Sequence, residues 1–362
     1  MNQDSNFSEP VEPSKHRKSR FVPFCLLIII AVAIGIGIRY YRNIPQTLTE
    51  TGTWQVYFND VGKGNISISL EERLIDKLKI ASVRIDAALY DLDSQPIADA
   101  LIKAHQQNVK VRIFAENDNV DEEEFQKLKA SGIPVLDDGD NEGLMHHKFF
   151  VIDERYVWTG SYNLTYRGAN KNNNNVVWID SPPLAMNYSQ EFRELFVLAE
   201  YDRSSDPNVP FPRIMLNDGT EILTYFAPDN DTISPLLKEI ESATSSIVFM
   251  AFSFTHDELG KAMQEQYKMG IAVNGIFDAN QKKSNRGYSE FDSMKKAGLS
   301  VRLDKEEGAM HHKVIIIDEE TVITGSYNFS KNAETRNSEN LLIIKGNKEI
   351  ASAYLDEFNR IK

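Results

Sequence analysis

Cysteine is almost absent from this sequence of 362 residues: Cys25 is the only one. A disulfide within the chain is excluded, and so is a zinc site built on several thiolates. Positive charge is also in short supply. Forty Lys and Arg stand against 53 Asp and Glu, for a formal net charge of −13. An extended, sequence-blind grip on duplex DNA needs many cationic contacts to phosphates, so it is disfavoured. A small basic cleft inside an acidic shell remains open. Long apolar runs are scarce, with one exception near the N-terminus. The chain is otherwise ordinary in apolar content, and its length suits one large domain or two of common size.

The exception is Phe21 to Ile38, 18 residues without a charge. As a helix it would span about 27 Å, close to the hydrocarbon thickness of a bilayer. It is apolar all round, unlike an amphipathic core helix. No small-x-small cleavage site follows it, as a signal peptide would require. The segment 21–38 is therefore expected to be a transmembrane anchor. Lys15, Arg17, Lys18 and Arg20 precede it and only Arg39 and Arg42 follow closely. That bias predicts a cytoplasmic tail over residues 1–20 and a catalytic part on the other side of the membrane. Residues 39–51 read as a juxtamembrane linker.

The remainder is a duplication. Met145-His146-His147-Lys148 recurs 165 positions later as Met310-His311-His312-Lys313. In register with it, Phe149 to Asp153 pairs with Val314 to Asp318, and Thr159-Gly160-Ser161-Tyr162-Asn163 with Thr324-Gly325-Ser326-Tyr327-Asn328. Upstream, apolar stretches at 83–89 and 247–252 read as buried strands, each flanked by helical patterns. Strands and helices alternate, which predicts α/β architecture: two homologous α/β/α sandwich halves behind one transmembrane helix. The halves are expected at 52–200 and 219–362. A proline-bearing connector at 201–218 (Pro207, Pro210, Pro212) separates them.

Each half carries His-x-Lys, four residues, Asp, six residues, then Gly-Ser-x-Asn. This pattern resembles the signature of the phospholipase D superfamily, and its Met-His-His-Lys wording is most similar to the cardiolipin hydrolase and endonuclease branch. The resemblance covers nearly everything after the apolar run. It implies a pseudo-twofold fold with one active site built from both motifs, so a monomer suffices. It also implies that His146 is the nucleophile and His311 the general acid and base.

The residues suit that chemistry. Strand alternation puts His146 on one face with Lys148, and His311 with Lys313. The transition state of a phosphodiester spreads negative charge over its oxygens. Lys148 and Lys313 are expected to meet that charge, so no metal and no cofactor is called for. Asn163 and Asn328 would add neutral donors, and Ser161 and Ser326 hydroxyls, beside the tight turns of Gly160 and Gly325. An imidazole titrates near neutrality and can serve as nucleophile or proton donor. By parity Asp153 and Asp318 point away from substrate and support the fold. His147 and His312 also fall off that face, as packing or surface residues. His16, His105 and His256 are expected at the surface.

One position breaks the duplication. Members of the family often hold an acidic residue about 13 positions after the motif serine, where it orients a catalytic histidine. Glu339 holds that place in the second half, and Asn174 replaces it in the first, within the run Asn172 to Asn175. Either the two histidines differ in basicity or the run is a polar loop with one tolerated change. Which histidine Glu339 serves is left open.

Three functions fit. The apolar run favours a phospholipid substrate held at the membrane, with hydrolysis of head groups. A nuclease preferring single strands is the alternative, with Tyr162, Tyr166 and Tyr327 as stacking candidates. Residues 43–362 carry −16, since the tail and the two flanking arginines hold three net positive charges, which weighs against a long nucleic-acid footprint. A non-catalytic membrane scaffold is the third.

Overall fold

The computed structural model of the protein describes residues 47–59, 68–199, 209–305 and 307–361. The expected cytoplasmic tail, the apolar run 21–38 and most of the expected linker lie outside the described residues. Among the described residues no helix is long and apolar enough to cross a membrane.

Two mixed sheets organise the chain. The first half contributes β2 (Thr53–Phe58), β3 (Arg84–Leu89), β4 (Lys110–Ala115), β5 (Val135–Asp137), β6 (Lys148–Ile152), β7 (Tyr156–Gly160) and β8 (Asn175–Asp180). Their order is β2-β8-β7-β6-β3-β4-β5. The second half repeats this with β10 (Glu221–Ala227), β11 (Ser246–Ala251), β12 (Ala272–Phe277), β13 (Ser300–Leu303), β14 (Lys313–Ile317), β15 (Thr321–Gly325) and β16 (Glu339–Lys345). Their order is β10-β16-β15-β14-β11-β12-β13, extended at the β10 edge by β9 (Arg213–Leu216) and then β1 (Thr47–Glu50). Within the seven strands that the halves share, the neighbours joined by helical crossovers, β3-β4-β5 and β11-β12-β13, run parallel; the motif strands β6 and β14 pair antiparallel to β3 and β11.

Two stretches read as connections are strands. Residues 47–50, in the expected linker, form β1, and residues 213–216, in the expected connector, form β9. They pair parallel, Thr47 opposite Arg213 and Glu50 opposite Leu216. The segment that precedes the first half thus adds a strand to the sheet of the second. Four-residue strands carry too little periodicity to stand out beside prolines.

The motif strands are buried on both faces, which explains their unbroken apolar runs Phe149 to Ile152 and Val314 to Ile317. Alternation divides them between cores. Phe149 and Val151 join Val314 and Ile316 in one core shared by the halves. Phe150 and Ile152 face the outer helices of the first half, and Ile315 and Ile317 those of the second. The shared core also takes one helix from each half, Pro182–Arg193 and Lys348–Arg360. Each helix is capped by a side chain, Ser181 accepting from the N–H of Leu184 and Asn347 from that of Ile350. The centre of the fold is therefore the seam between the repeats, and both motifs end in it.

Candidate active site

At the seam the two halves are joined backbone to backbone beside the histidines. The N–H of His146 donates to the carbonyl of Ser338 at 3.0 Å, and Ser338 N–H to Leu144 at 2.8 Å. The mirror contacts join His311 N–H to Asn173 at 2.9 Å and Asn173 N–H to Ala309 at 2.8 Å. These approaches need glycine. A Cβ at Gly143 would overlap the carbonyl of Arg336, and one at Gly308 that of Lys171.

Each histidine ring is held by the opposite half. His146 Nδ1 lies 2.8 and 2.9 Å from the carboxylate oxygens of Glu339. His311 Nδ1 lies 2.9 Å from the carbonyl of Ser161 and 3.0 Å from Oδ1 of Asn174. The question left open by the sequence is answered: Glu339 of the second half serves His146 of the first, and Asn174 serves His311. In both rings the acceptors face Nδ1, so the proton sits there and Nε2 is the nitrogen these partners leave available.

Lys148 and Lys313 are almost fully buried, and each Nζ donates to the carbonyl of the histidine two residues before it, at 2.6 and 2.9 Å. An aromatic ring backs each pair. Tyr90 meets the His146 ring edge to face at 4.9 Å and lies 4.8 Å from Lys148 Nζ. Phe252 meets His311 at 4.5 Å and lies 4.7 Å from Lys313 Nζ. Sequence reading missed both aromatics. They occupy equivalent positions, directly after β3 and β11, and a residue-by-residue alignment of the repeats would have found them.

The electrostatics follow from burial. Desolvation, then the charges of Lys148 and Lys313, push the His146 and His311 imidazoles well below their ordinary value. Desolvation lowers Lys148 to about 7 against the pull of Glu339, Asp91 and Glu116. Lys313 too is held well below its ordinary value, by burial and then by Lys148. Burial raises Glu339 to about 7, opposed by Lys148 and by the Ser326 hydroxyl. Two lysines and two imidazoles gathered around one carboxylate make a site short of negative charge, which an anion would complete.

The serines are placed differently from expectation. Ser161 and Ser326 are fully buried. Their hydroxyls donate to Asn174 at 2.9 Å and Glu339 at 2.6 Å, and accept from the N–H groups of Asn175 and Asn340. With its proton committed, neither hydroxyl is left to donate to a phosphate; they orient the partners of the histidines. Gly160 and Gly325 are needed because a Cβ would overlap the carbonyls of Asn175 and Asn340. Asn163 and Asn328 are half-buried, and the side-chain oxygen of each has no hydrogen-bond partner. Asp153 and Asp318 lie past the strands in hairpin turns, at φ of 54° and 53°, not on a strand face. Asp153 accepts from the backbone of Ser82, Val83 and Arg84, and Asp318 from Thr244, Ser245 and Ser246. Both tie the motif hairpin to the start of the strand before it.

His147 and His312 are not surface residues. Both are fully buried in the seam, where Nε2 meets Glu191 at 2.8 Å and Glu357 at 2.9 Å. Their Nδ1 atoms face Asn340 and Asn175 of the opposite half. His256 is also buried, against Glu334 at 2.9 Å. Tyr162 and Tyr327 are 1% exposed and cannot stack on a substrate; Tyr166 remains open at 63%. Among the described residues, the carboxylates close enough together to share a cation are Glu191, Glu194 and Asp229. They lie by His147, away from the catalytic face, with Glu191 already engaged by that ring.

Residues 74–196 and 236–362 match the family described as "Cardiolipin synthase, PLD-like domain". The mitochondrial cardiolipin hydrolase of Mus musculus is 37% identical over 130 residues, covering 36% of this chain and 58% of that protein. The chain spans 50–58% of the length of the mammalian cardiolipin hydrolases it matches. A phospholipase D of Rickettsia bellii is 28% identical over 173 residues, 48% of this chain and 85% of that one. In fold, the chain is similar to the phosphatidylserine synthase of Haemophilus influenzae, with a TM-score of 0.63 at 14% identity over 84% of this chain and 85% of that one.

Proposed function

The chain belongs to the cardiolipin synthase, phospholipase D-like family, and on that premise we propose that it is a phosphodiesterase hydrolase that removes phospholipid head groups through a phosphohistidine intermediate. Nε2 of neutral His146 attacks phosphorus. His311 enters this step as an imidazolium, protonated on both nitrogens; the bond from phosphorus to the head-group oxygen breaks, and that oxygen takes the proton from Nε2 of His311, leaving the ring neutral with its proton on Nδ1. Water then attacks the phosphorus, the P–N bond breaks, and His311 takes the water's proton. Lys148 and Lys313 hold the charge that develops on the phosphoryl oxygens, and the Asn163 and Asn328 amides add neutral donors. With two buried cations at the phosphate, the reaction needs no metal.

The observation that carries this reading is the crossed pinning of the two Nδ1 atoms, which reserves both Nε2 atoms for chemistry between two lysines. Binding an anion restores to the lysines the charge that desolvation withholds. The apolar run 21–38, as an anchor, would hold the site at a bilayer, with the tail cytoplasmic and the folded part across the membrane. One chain supplies both motifs.

The test uses full-length protein in detergent micelles with EDTA. Micelles carrying cardiolipin or phosphatidylcholine are assayed beside single-stranded DNA. Release of head groups or phosphatidic acid, lost in H146N and H311N, is expected. Strand cleavage with intact lipids would replace the lipid reading by a nuclease. No turnover of either, in folded protein that binds a partner, would leave the scaffold.

A further inference from the structure

We propose that Glu339 and Asn174 decide which histidine takes the phosphoryl group, and that exchanging the two residues reverses the histidines' roles. This rests on the two-histidine chemistry above and adds to it the origin of the division of labour.

The site is nearly symmetric. Each lysine donates to the carbonyl of its own motif histidine, and each histidine N–H donates across the seam. Each motif serine hydroxyl bonds the residue 13 positions on. The flanking rings differ as Tyr90 and Phe252, but burial raises the Tyr90 phenol, so both are uncharged. The difference that alters charge at a ring is the partner of Nδ1. It is a carboxylate at 2.8 and 2.9 Å for His146 and an amide oxygen at 3.0 Å for His311. The amide's orientation is fixed, because its Nδ2 donates to the carbonyl of Gly168 at 3.0 Å.

The two partners favour opposite tasks. When Nε2 bonds to phosphorus the ring becomes a cation with its proton on Nδ1. Glu339 meets that cation with a full negative charge, in surroundings that screen it little. The donor of the leaving-group proton needs the reverse: an imidazolium whose charge is not stabilised, so that it gives up its Nε2 proton readily and is left as the neutral Nδ1–H tautomer. Asn174 and the carbonyl of Ser161 hold the tautomer of His311 with dipoles alone. The lysines do not set the order, since each presses hardest on its own neighbouring ring or lies near both. Glu339 and Asn174 are thus positioning residues that rank two otherwise equivalent nucleophiles.

The test maps the covalent intermediate. Full-length protein is mixed with bis(4-nitrophenyl) phosphate, quenched in alkali, digested, and the 4-nitrophenyl-phosphoryl group is placed by mass spectrometry. In the parent protein the group is expected on His146. In the double variant N174E/E339N it is expected on His311. E339Q alone is expected to slow labelling of His146 on the order of 10⁴-fold, as when the carboxylate of a catalytic triad is replaced by its amide. Label on His311 in the parent, or on His146 in a folded double variant, overturns the proposal. If thermal melting shows the double variant unfolded, the single variants decide: N174D should bring label to His311, and its absence there, with E339Q labelling at the parent rate, overturns it. Turnover without label on either histidine would remove the covalent reading itself.

Discussion

The two halves carry the same motif on the same strands, yet their buried histidines sit in opposite charge environments. In the first half, His147 meets Glu191, and the neighbouring acids are Glu194 and Asp229. Burial, then the charge of Asp229, raises Glu191 well above the usual carboxylate range, and burial lowers His147 to about 3. That pair is neutral. In the second half, His312 meets Glu357, which Arg360 grips at 2.6 Å while also reaching Asn173 across the seam. Burial works to raise Glu357, but Arg360 and His312 outweigh it and hold it below its ordinary value. One copy of a duplicated contact thus joins a histidine to a neutral carboxyl, and the other joins a histidine to a carboxylate ion-paired with Arg360. The same divergence separates Asn174 from Glu339. Duplication supplied the geometry twice, and charge differentiates the copies.

The largest effects should come from the histidines. H146N and H311N are each expected to lose at least about 10³-fold in turnover, but H311N should accumulate labelled protein and H146N should form none. Equal behaviour in a rapid-quench burst would erase the distinction between the halves. Lys148→Met and Lys313→Met should each lower kcat by about 10²- to 10³-fold. Because Lys148 is lowered to about 7, it is charged below that pH and neutral above it. The pH profile of kcat/KM, which reports the free enzyme, should therefore fall above about 7, and Lys148→Arg should move that limb upward.

The seam can be probed by stability. Glu357→Gln leaves Arg360 without its buried counter-charge and should cost about 3–5 kcal/mol in denaturant unfolding. Glu191→Gln replaces a neutral carboxyl and should cost under about 1 kcal/mol. Equal losses would contradict the neutral and ionic assignments. Gly143→Ala and Gly308→Ala should each cost about 1–3 kcal/mol, by forcing apart backbones that touch. The smallest effects belong to the hairpin aspartates. Burial would raise Asp153 and Asp318, but donated hydrogen bonds outweigh it and hold both below the ordinary value. Their contribution is complete above about pH 4, the unfolded value, and is lost as pH falls through the lower folded values. Asp153→Asn and Asp318→Asn should flatten the acid limb of the stability curve. Asp318→Asn should do so more, since it accepts five such bonds against four.

Much of this was legible in the sequence. The repeat at 165 residues, the alternation of strand and helix, and the shared face of His146 and Lys148 follow from local pattern. The pairing of β1 with β9 did not, because two four-residue strands leave no periodic signal. Ser161 and Ser326 looked like phosphate donors because type and spacing say nothing about which neighbour already holds the proton. His147 and His312 looked incidental because parity shows which face a side chain leaves, not what waits on the other.

By itself the sequence determined which side chains exist in duplicate, how they alternate along a strand, and where the duplication fails, at Asn174 and Glu339. Those are properties of neighbours in the chain, governed by the period of the backbone. Tertiary structure alone decided which histidine each of these residues serves. Glu339 lies 193 residues from His146 and Asn174 137 from His311, and each pairing crosses the seam. Contact over such distances is set by how two sheets share a core, and in that core the loss of water makes one carboxylate rather than an amide a difference in chemistry.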